Sequence, residues 1–90
     1  MSWKIIATKT FSNEFKKYRK NREFVDAIGK KIQRLKKDPH SVGGYLSGRL
    51  HGYKSARVIE KFRMIFRIDE KEQLVALVGI DHRKFDYKNF

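Results

Sequence analysis

Hydrophobic residues recur along the chain with two different spacings, and the change between them marks a change from helices to strands. A short apolar run at residues 3–8 contains β-branched residues and predicts a strand. In the two stretches that follow, apolar residues fall three or four positions apart, which places them on one face of a helix. They are Phe11, Phe15 and Tyr18 in the first stretch, and Phe24, Ile28, Ile32 and Leu35 in the second.

Polar residues and a proline set the expected limits of the two helices. Thr10 or Ser12 is placed to cap the first helix, and Asn21 to cap the second. Pro39 ends the second helix, because the residue before a proline is driven away from helical geometry. Residues 41–55 contain four glycines and no helical period, so they predict a loop or an extended crossing.

The second half of the chain has the two-residue period of strands. Residues 57–69 alternate between an apolar set and a basic set, and a turn near residues 60–61 is expected to make a hairpin. Residues 74–80 are apolar on both faces, as in an interior strand. The order is β-α-α-β-β-β, so we expect one α+β domain over residues 1–90, with the helices covering one face of an antiparallel sheet. The apolar set is Val58, Phe62, Met64, Phe66 and Ile68, and the basic set is Arg57, Lys61, Arg63 and Arg67, which share their parity with Ile59 and Ile65.

The net charge of the chain indicates what kind of molecule it binds. The chain has 22 Lys and Arg against 10 Asp and Glu, a net charge of +12. Residues 1–45 carry 12 basic and 4 acidic groups, and residues 46–90 carry 10 and 6, so the excess is not a basic tail. Such a balance indicates a polyanionic partner, which is a nucleic acid, an anionic membrane or an acidic protein. A merely solvated basic surface is the alternative.

Missing residue types exclude several kinds of chemistry. The chain has no cysteine, so disulfides, thiolate metal sites and cysteine nucleophiles are excluded. Its three histidines lack the HExxH spacing of a zinc site, and no stretch matches the GxxxxGK[ST] phosphate loop. No apolar stretch is long enough to span a membrane. We therefore expect a cytoplasmic protein that uses no metal and no cofactor.

The pattern predicts a basic groove on the sheet face that the helices leave open. Arg63 and Arg67 would line this face, and guanidinium groups match the oxygens of phosphate. The glycine-rich crossing and the residues after the last apolar strand would supply the two sides of the groove. The crossing brings Arg49, His51, Lys54 and Arg57, and the final segment brings His82, Arg83 and Tyr87.

These residue types suit the cleavage of RNA by its own 2′-hydroxyl. The reaction needs cations around the phosphate, a base for the 2′-OH proton and an acid for the leaving 5′-oxygen, and a positioned acid or base contributes about 10²–10⁴-fold. A tyrosine can also stack on an unstacked base.

Nearly the whole chain, and most specifically the part from Leu46 to Tyr87, resembles the RelE/ParE superfamily of toxins from toxin–antitoxin pairs. The resemblance lies in the Leu50-His51-Gly52 element, the Phe62-Arg63 pair, and His82-Arg83 followed by Tyr87. The RelE branch cuts mRNA in the ribosomal A site, and the ParE branch poisons DNA gyrase. The resemblance implies a ribosome-dependent mRNA endoribonuclease that inhibits translation. A gyrase poison without nuclease activity and a non-catalytic RNA-binding module are the alternatives.

The resemblance also implies roles for individual residues. Arg63 and Arg83 would stabilise the transition-state phosphate, and Tyr87 would stack on a base or assist proton transfer. Lys54 matches a basic position of the family, but Ala56 stands where its nucleases often have a second lysine. His82 and His51 are therefore the candidates for the general base, because an imidazole titrates near neutral pH. The expected RNA contacts are Arg49, Lys54, Arg57, Lys61 and Arg67.

The resemblance further implies an antitoxin that wraps the toxin in a hetero-oligomer. The basic charge of this chain predicts an acidic contacting segment, which would be partly disordered until it binds.

Overall fold

The computed structural model describes residues 2–48, 51–59 and 61–82, and of His82 it describes the backbone only. One layer is a sheet and the other is a pair of helices. The elements are β1 (Lys4–Ala7), α1 (Lys9–Tyr18), α2 (Arg22–Lys37), a 3-10 turn (Pro39–Ser41), β2 (Gly44–Tyr45), β3 (Lys54–Ile59), β4 (Phe62–Asp69) and β5 (Leu74–His82).

The five described strands form one sheet in the order β1-β5-β4-β3-β2. Strands β2 to β5 pair antiparallel in sequence order, and β1 adds to the far side of β5 in parallel. The predicted α+β class and the β-α-α-β-β-β order are confirmed. The segment predicted as a loop between residues 41 and 55 also holds the short strand β2 and the first two residues of β3.

One of the two predicted helix caps is confirmed and the other is wrong. Asn21 caps α2, and its Oδ1 accepts the backbone N–H of Phe24 at 3.1 Å. The cap of α1 is Thr8, not Thr10 or Ser12. Its Oγ1 accepts the N–H of Phe11 at 3.2 Å and donates to the carbonyl of Leu77 at 2.9 Å. Thr8 is the cap because its single hydroxyl makes both bonds, one to the first turn of α1 and one to the backbone of β5.

The core lies between the helices and one face of the sheet. Phe24 of α2 is fully buried, and its ring centre lies 4.6 Å from that of Phe62 and 5.6 Å from that of Tyr18. Met64 and Phe66 are also fully buried on this face, as the alternation in β4 predicts. Neither described helix has the length and apolarity that a membrane span requires.

Candidate nucleic-acid interface

Strand β4 presents arginines on the face of the sheet that the helices do not cover. Phe62, Met64 and Phe66 point into the core, so the alternation of a strand places Arg63 and Arg67 on the opposite face. Arg63 is half-buried and Arg67 is exposed. Four residues of strand separate their Cα atoms by about 13 Å. Arg63 and Arg67 therefore lie in different parts of this face.

Arg63 belongs to a row of charged residues that crosses three strands. In the pairing register, Arg57 of β3 lies directly opposite Arg63, and Asp81 of β5 lies opposite Arg63 on its other side. Directly opposite residues have Cβ atoms about 4.5–5.5 Å apart. Two guanidinium stems therefore stand side by side, where their like charges repel, and Asp81 on the other side of Arg63 offsets part of this repulsion. Paired guanidiniums also suit the binding of a phosphate. We call Arg57, Arg63 and Asp81 the charged row.

Asp81 is the member of the charged row that the sequence analysis missed. It is 3% exposed, and a buried carboxylate beside a guanidinium limits how that guanidinium can orient. The signal was present in the sequence, because Asp81 follows the apolar residues 74–80 at the parity opposite to the core residue Ile80.

The end of β5 brings the chain back beside the charged row. His82 is the last residue of β5 and pairs with Phe62, one position from Arg63. Lys61 is exposed in the turn between β3 and β4, at this same end of the hairpin. The predicted site residues Arg49, Arg83 and Tyr87 lie outside the described residues, as does the side chain of His82.

His51 lies toward the other end of the hairpin. It is exposed in the turn before β3, where its N–H donates to the carbonyl of Gly48 at 3.1 Å. Strand β3 begins at Lys54, and three residues, about 10 Å, separate Lys54 from Arg57. His51 therefore precedes the Arg67 end of the hairpin, whereas the backbone of His82 ends β5 opposite the core residue Phe62. The role of either histidine as general base stays a prediction.

Lys54 is the first residue of β3 and is only 2% exposed. Its Nζ donates to the carbonyls of His40 at 2.8 Å and Pro39 at 3.3 Å, and it lies 5.0 Å from the ring centre of Tyr45. Burial lowers the pKa of Lys54, and the carboxylate of Asp38 partly offsets this. These hydrogen bonds from the ammonium of Lys54 connect β3 to the turn after α2. The predicted contact of Lys54 with phosphate stays a prediction, and this enclosure favours a structural role.

The sheet and helices enclose an apolar groove on the side away from the charged row. Its volume is about 520 Å³, and β1, α1, α2 and β5 all contribute to its walls. Lys16 provides a cation among otherwise largely apolar side chains. The apolar lining includes Ile5, Phe11, Phe15, Val25, Ile28 and Ile32. Within the described ranges, no three His, Asp or Glu side chains come together as a metal site would require.

A protein-family model matches nearly the whole chain. It is described as the ParE toxin of the type II toxin–antitoxin system parDE, and it matches residues 5–87. A search of curated protein sequences finds no match.

Several solved structures have a similar fold. The toxin–antitoxin complex RelBE2 from Mycobacterium tuberculosis is 26% identical, with a TM-score of 0.79 over 92% of this chain and 100% of that chain. The YoeB/ParE toxin from Agrobacterium tumefaciens is 20% identical, with a TM-score of 0.77 over 88% and 96%. YafQ from E. coli is 15% identical, with a TM-score of 0.76 over 91% and 94%. The last two comparisons show a shared fold.

Proposed function

The chain belongs to the ParE toxin family of type II toxin–antitoxin systems, within the RelE/ParE superfamily, and from that premise we propose that it is an endoribonuclease that cuts mRNA on the ribosome. The observation that carries this proposal is the charged row. Arg57 and Arg63 lie opposite each other on the sheet face that the helices do not cover, near the end of β5. Paired guanidiniums suit a phosphodiester.

The proposed reaction is an internal transesterification. The 2′-oxygen of the nucleotide attacks the adjacent phosphorus, and its proton passes to a general base, for which the resemblance leaves His82 and His51 as the candidates. The bond from phosphorus to the 5′-oxygen breaks, and that oxygen takes a proton from a general acid, a role in which the resemblance allows Tyr87 to assist. The products are a 2′,3′-cyclic phosphate and a 5′-hydroxyl. Arg63 and Arg57 stabilise the charge that develops on the phosphate oxygens, and a preorganised group of this kind contributes about 3–4 kcal/mol. Arg83 and Tyr87 keep the roles that the family resemblance implies.

Arg63 provides the sharpest test of this proposal. Arg63→Ala is expected to slow the cleavage of mRNA on programmed ribosomes by about 10²–10³-fold. Arg63→Lys should restore only part of the rate, because an ammonium keeps the charge but loses the planar fork. Lys71→Ala is the control, since Lys71 is exposed in the turn between β4 and β5. Intact mRNA with the parent protein, or equal rates for the parent and Arg63→Ala, would refute the nuclease proposal.

A second candidate function is the poisoning of DNA gyrase, which the name of the matching family model favours. This activity needs no positioned acid or base. It predicts DNA breaks in a cleavage assay with purified gyrase, and toxicity that survives the replacement of His82. Induced expression with parallel readings of mRNA integrity and DNA breaks separates the two candidates.

We further propose that the apolar groove receives an antitoxin. The similar RelBE2 structure is a toxin–antitoxin complex, and the groove offers an apolar floor with Lys16 in its wall. These features fit an amphipathic segment with acidic residues on its outer side. Ile32→Glu would place a carboxylate in the wall of the groove, at a half-buried position. It should weaken antitoxin binding more than Lys71→Glu, when both are measured by calorimetry with folded protein.

A further inference from the structure

The helical hairpin carries most of the excess charge of this protein. Residues 9–37 contain eleven Lys and Arg against three Asp and Glu. This amounts to +8 of the net +12 in about a third of the chain. This concentration is not visible when residues 1–45 are compared with residues 46–90, because the two halves contain 12 and 10 basic residues.

The fold arranges these cations on the outer surface of the two helices. On α2, Lys30, Arg34 and Lys37 are exposed and follow one another at four and three residues. They therefore form one stripe about 10 Å long, on the side away from the buried Phe24 and Leu35. On α1, the exposed Lys9 and Lys17 lie away from the core residue Phe11, and Lys20 continues this side beyond the end of the helix. The helices pack against each other through Phe15 and Phe24.

Among the described residues, acidic side chains do not pair with the cations of this surface. The ion pair between His40 and Glu70 involves neither α1 nor α2. The helices contain three acidic residues, Glu14, Glu23 and Asp26. Within the described ranges, none of them lies within ion-pair distance of a helical Lys or Arg. The pKa of Lys31 is lowered, first by burial and then by the positive charge of Arg34. Mutual repulsion therefore remains in the free protein and would be relieved by an anion.

The helical surface is separate from the charged row. The helices cover one face of the sheet, and Arg57 and Arg63 lie on the other. A single nucleotide linkage cannot contact both. The helical surface also lacks exposed aromatic side chains within the described residues, where the exposed large apolar side chains are Ile6 and Tyr45. Sites for single strands combine cations with aromatic plates for the bases, whereas sites for duplexes contact the backbone.

We infer that the outer surface of the helical hairpin is a second binding surface, which takes the sugar–phosphate backbone of a nucleic-acid duplex. It binds through charge alone and reads no base sequence. The inference does not depend on whether the charged row cleaves RNA, because binding and cleavage are measured separately. RNA and DNA duplexes share this backbone chemistry, and the two probes below distinguish them.

The test compares two double variants with the same net charge. Lys30→Gln/Arg34→Gln removes two cations from the helical stripe, and Lys4→Gln/Lys71→Gln removes two exposed cations from elsewhere. The probes are a short RNA duplex, the DNA duplex of the same sequence and a single-stranded RNA. Binding is measured over a series of salt concentrations, and urea unfolding verifies that both variants fold.

We expect the helical variant to reduce the salt slope of log K for a duplex by about 1.8, at about 0.9 for each lost phosphate contact. The control variant should leave that slope unchanged, and Arg63→Ala should leave duplex binding intact. An equal reduction of the salt slope in the two double variants would overturn the inference. It would indicate that the duplex responds to the net charge of the protein and not to the helical surface. Competition by polyglutamate as effective as that by either duplex would also overturn it, in favour of an acidic protein as the partner.

Discussion

Gly43 offers a decisive test of the way β2 joins the sheet. Its φ is +66°, in the left-handed region, and a Cβ added there would lie 2.3 Å from the carbonyl oxygen of Ser55 in β3. Ser55 pairs with Gly44, so the clash falls on the β2–β3 ladder itself. Gly44 is the matched control, because a Cβ added there meets nothing within 4 Å and its φ is not positive.

The magnitude of the Gly43→Ala effect follows from two costs. Left-handed geometry costs a residue with a Cβ about 1–2 kcal/mol. Relieving an overpacked contact costs about 1–3 kcal/mol. We therefore expect Gly43→Ala to lower the free energy of unfolding by about 2–5 kcal/mol, which lowers the Tm of a domain of this size by at least about 8 °C. Gly44→Ala should stay within about 0.5 kcal/mol of the parent or gain slightly.

Urea unfolding followed by circular dichroism measures both variants under the same conditions. The informative quantity is the difference between Gly43→Ala and Gly44→Ala, since both add one methyl group to adjacent positions. If the two variants unfold at the same urea concentration, β2 does not lie against β3 as described, and the reasoning is refuted.

Two other perturbations test contacts that hold the sheet and helices in place. Thr8→Ala removes the cap of α1 and the bond to Leu77 and should cost about 1–2 kcal/mol in urea unfolding, whereas Thr8→Ser keeps both bonds and should cost much less. Lys54→Met leaves the carbonyls of Pro39 and His40 without their donor and should cost about 2–4 kcal/mol at neutral pH. Because the folded-state pKa of Lys54 is lowered, the unfolded chain binds more protons between that pKa and 10.5. The stability of the parent should therefore rise relative to Lys54→Met as the pH increases through this range, and parallel pH profiles would contradict it.

Local patterns were enough to predict most of the fold. The alternation in β4 identified Phe62, Met64 and Phe66 as core residues, because one face of this strand is covered by helices and selects apolar side chains. The alternation fails in β3, where Val58 and Ile59 both pack against the core. A register shift between Arg57 and Ile59 breaks the two-residue period there.

Contacts between distant parts of the chain account for what the sequence did not reveal. The choice of Thr8 as a cap depends on the carbonyl of Leu77, which is 69 residues away. Lys54 resembles a phosphate ligand in sequence, but carbonyls 14 and 15 residues earlier enclose its ammonium. Asp81 gains its place beside Arg63 only through the pairing of β4 with β5. The roles predicted for Arg83 and Tyr87 remain predictions.

The parallel pairing of β1 with β5 determines when the sheet of this protein can be completed during its synthesis. Ile5 of β1 pairs with Val75 of β5. In a nascent chain that lacks β5, β1 therefore has no strand to pair with. The same strand supplies Asp81 and His82. The sheet is therefore completed late in translation, after residues 74–82 have been made, and a product that ends before β5 would lack the strand that joins β1 to the rest of the sheet.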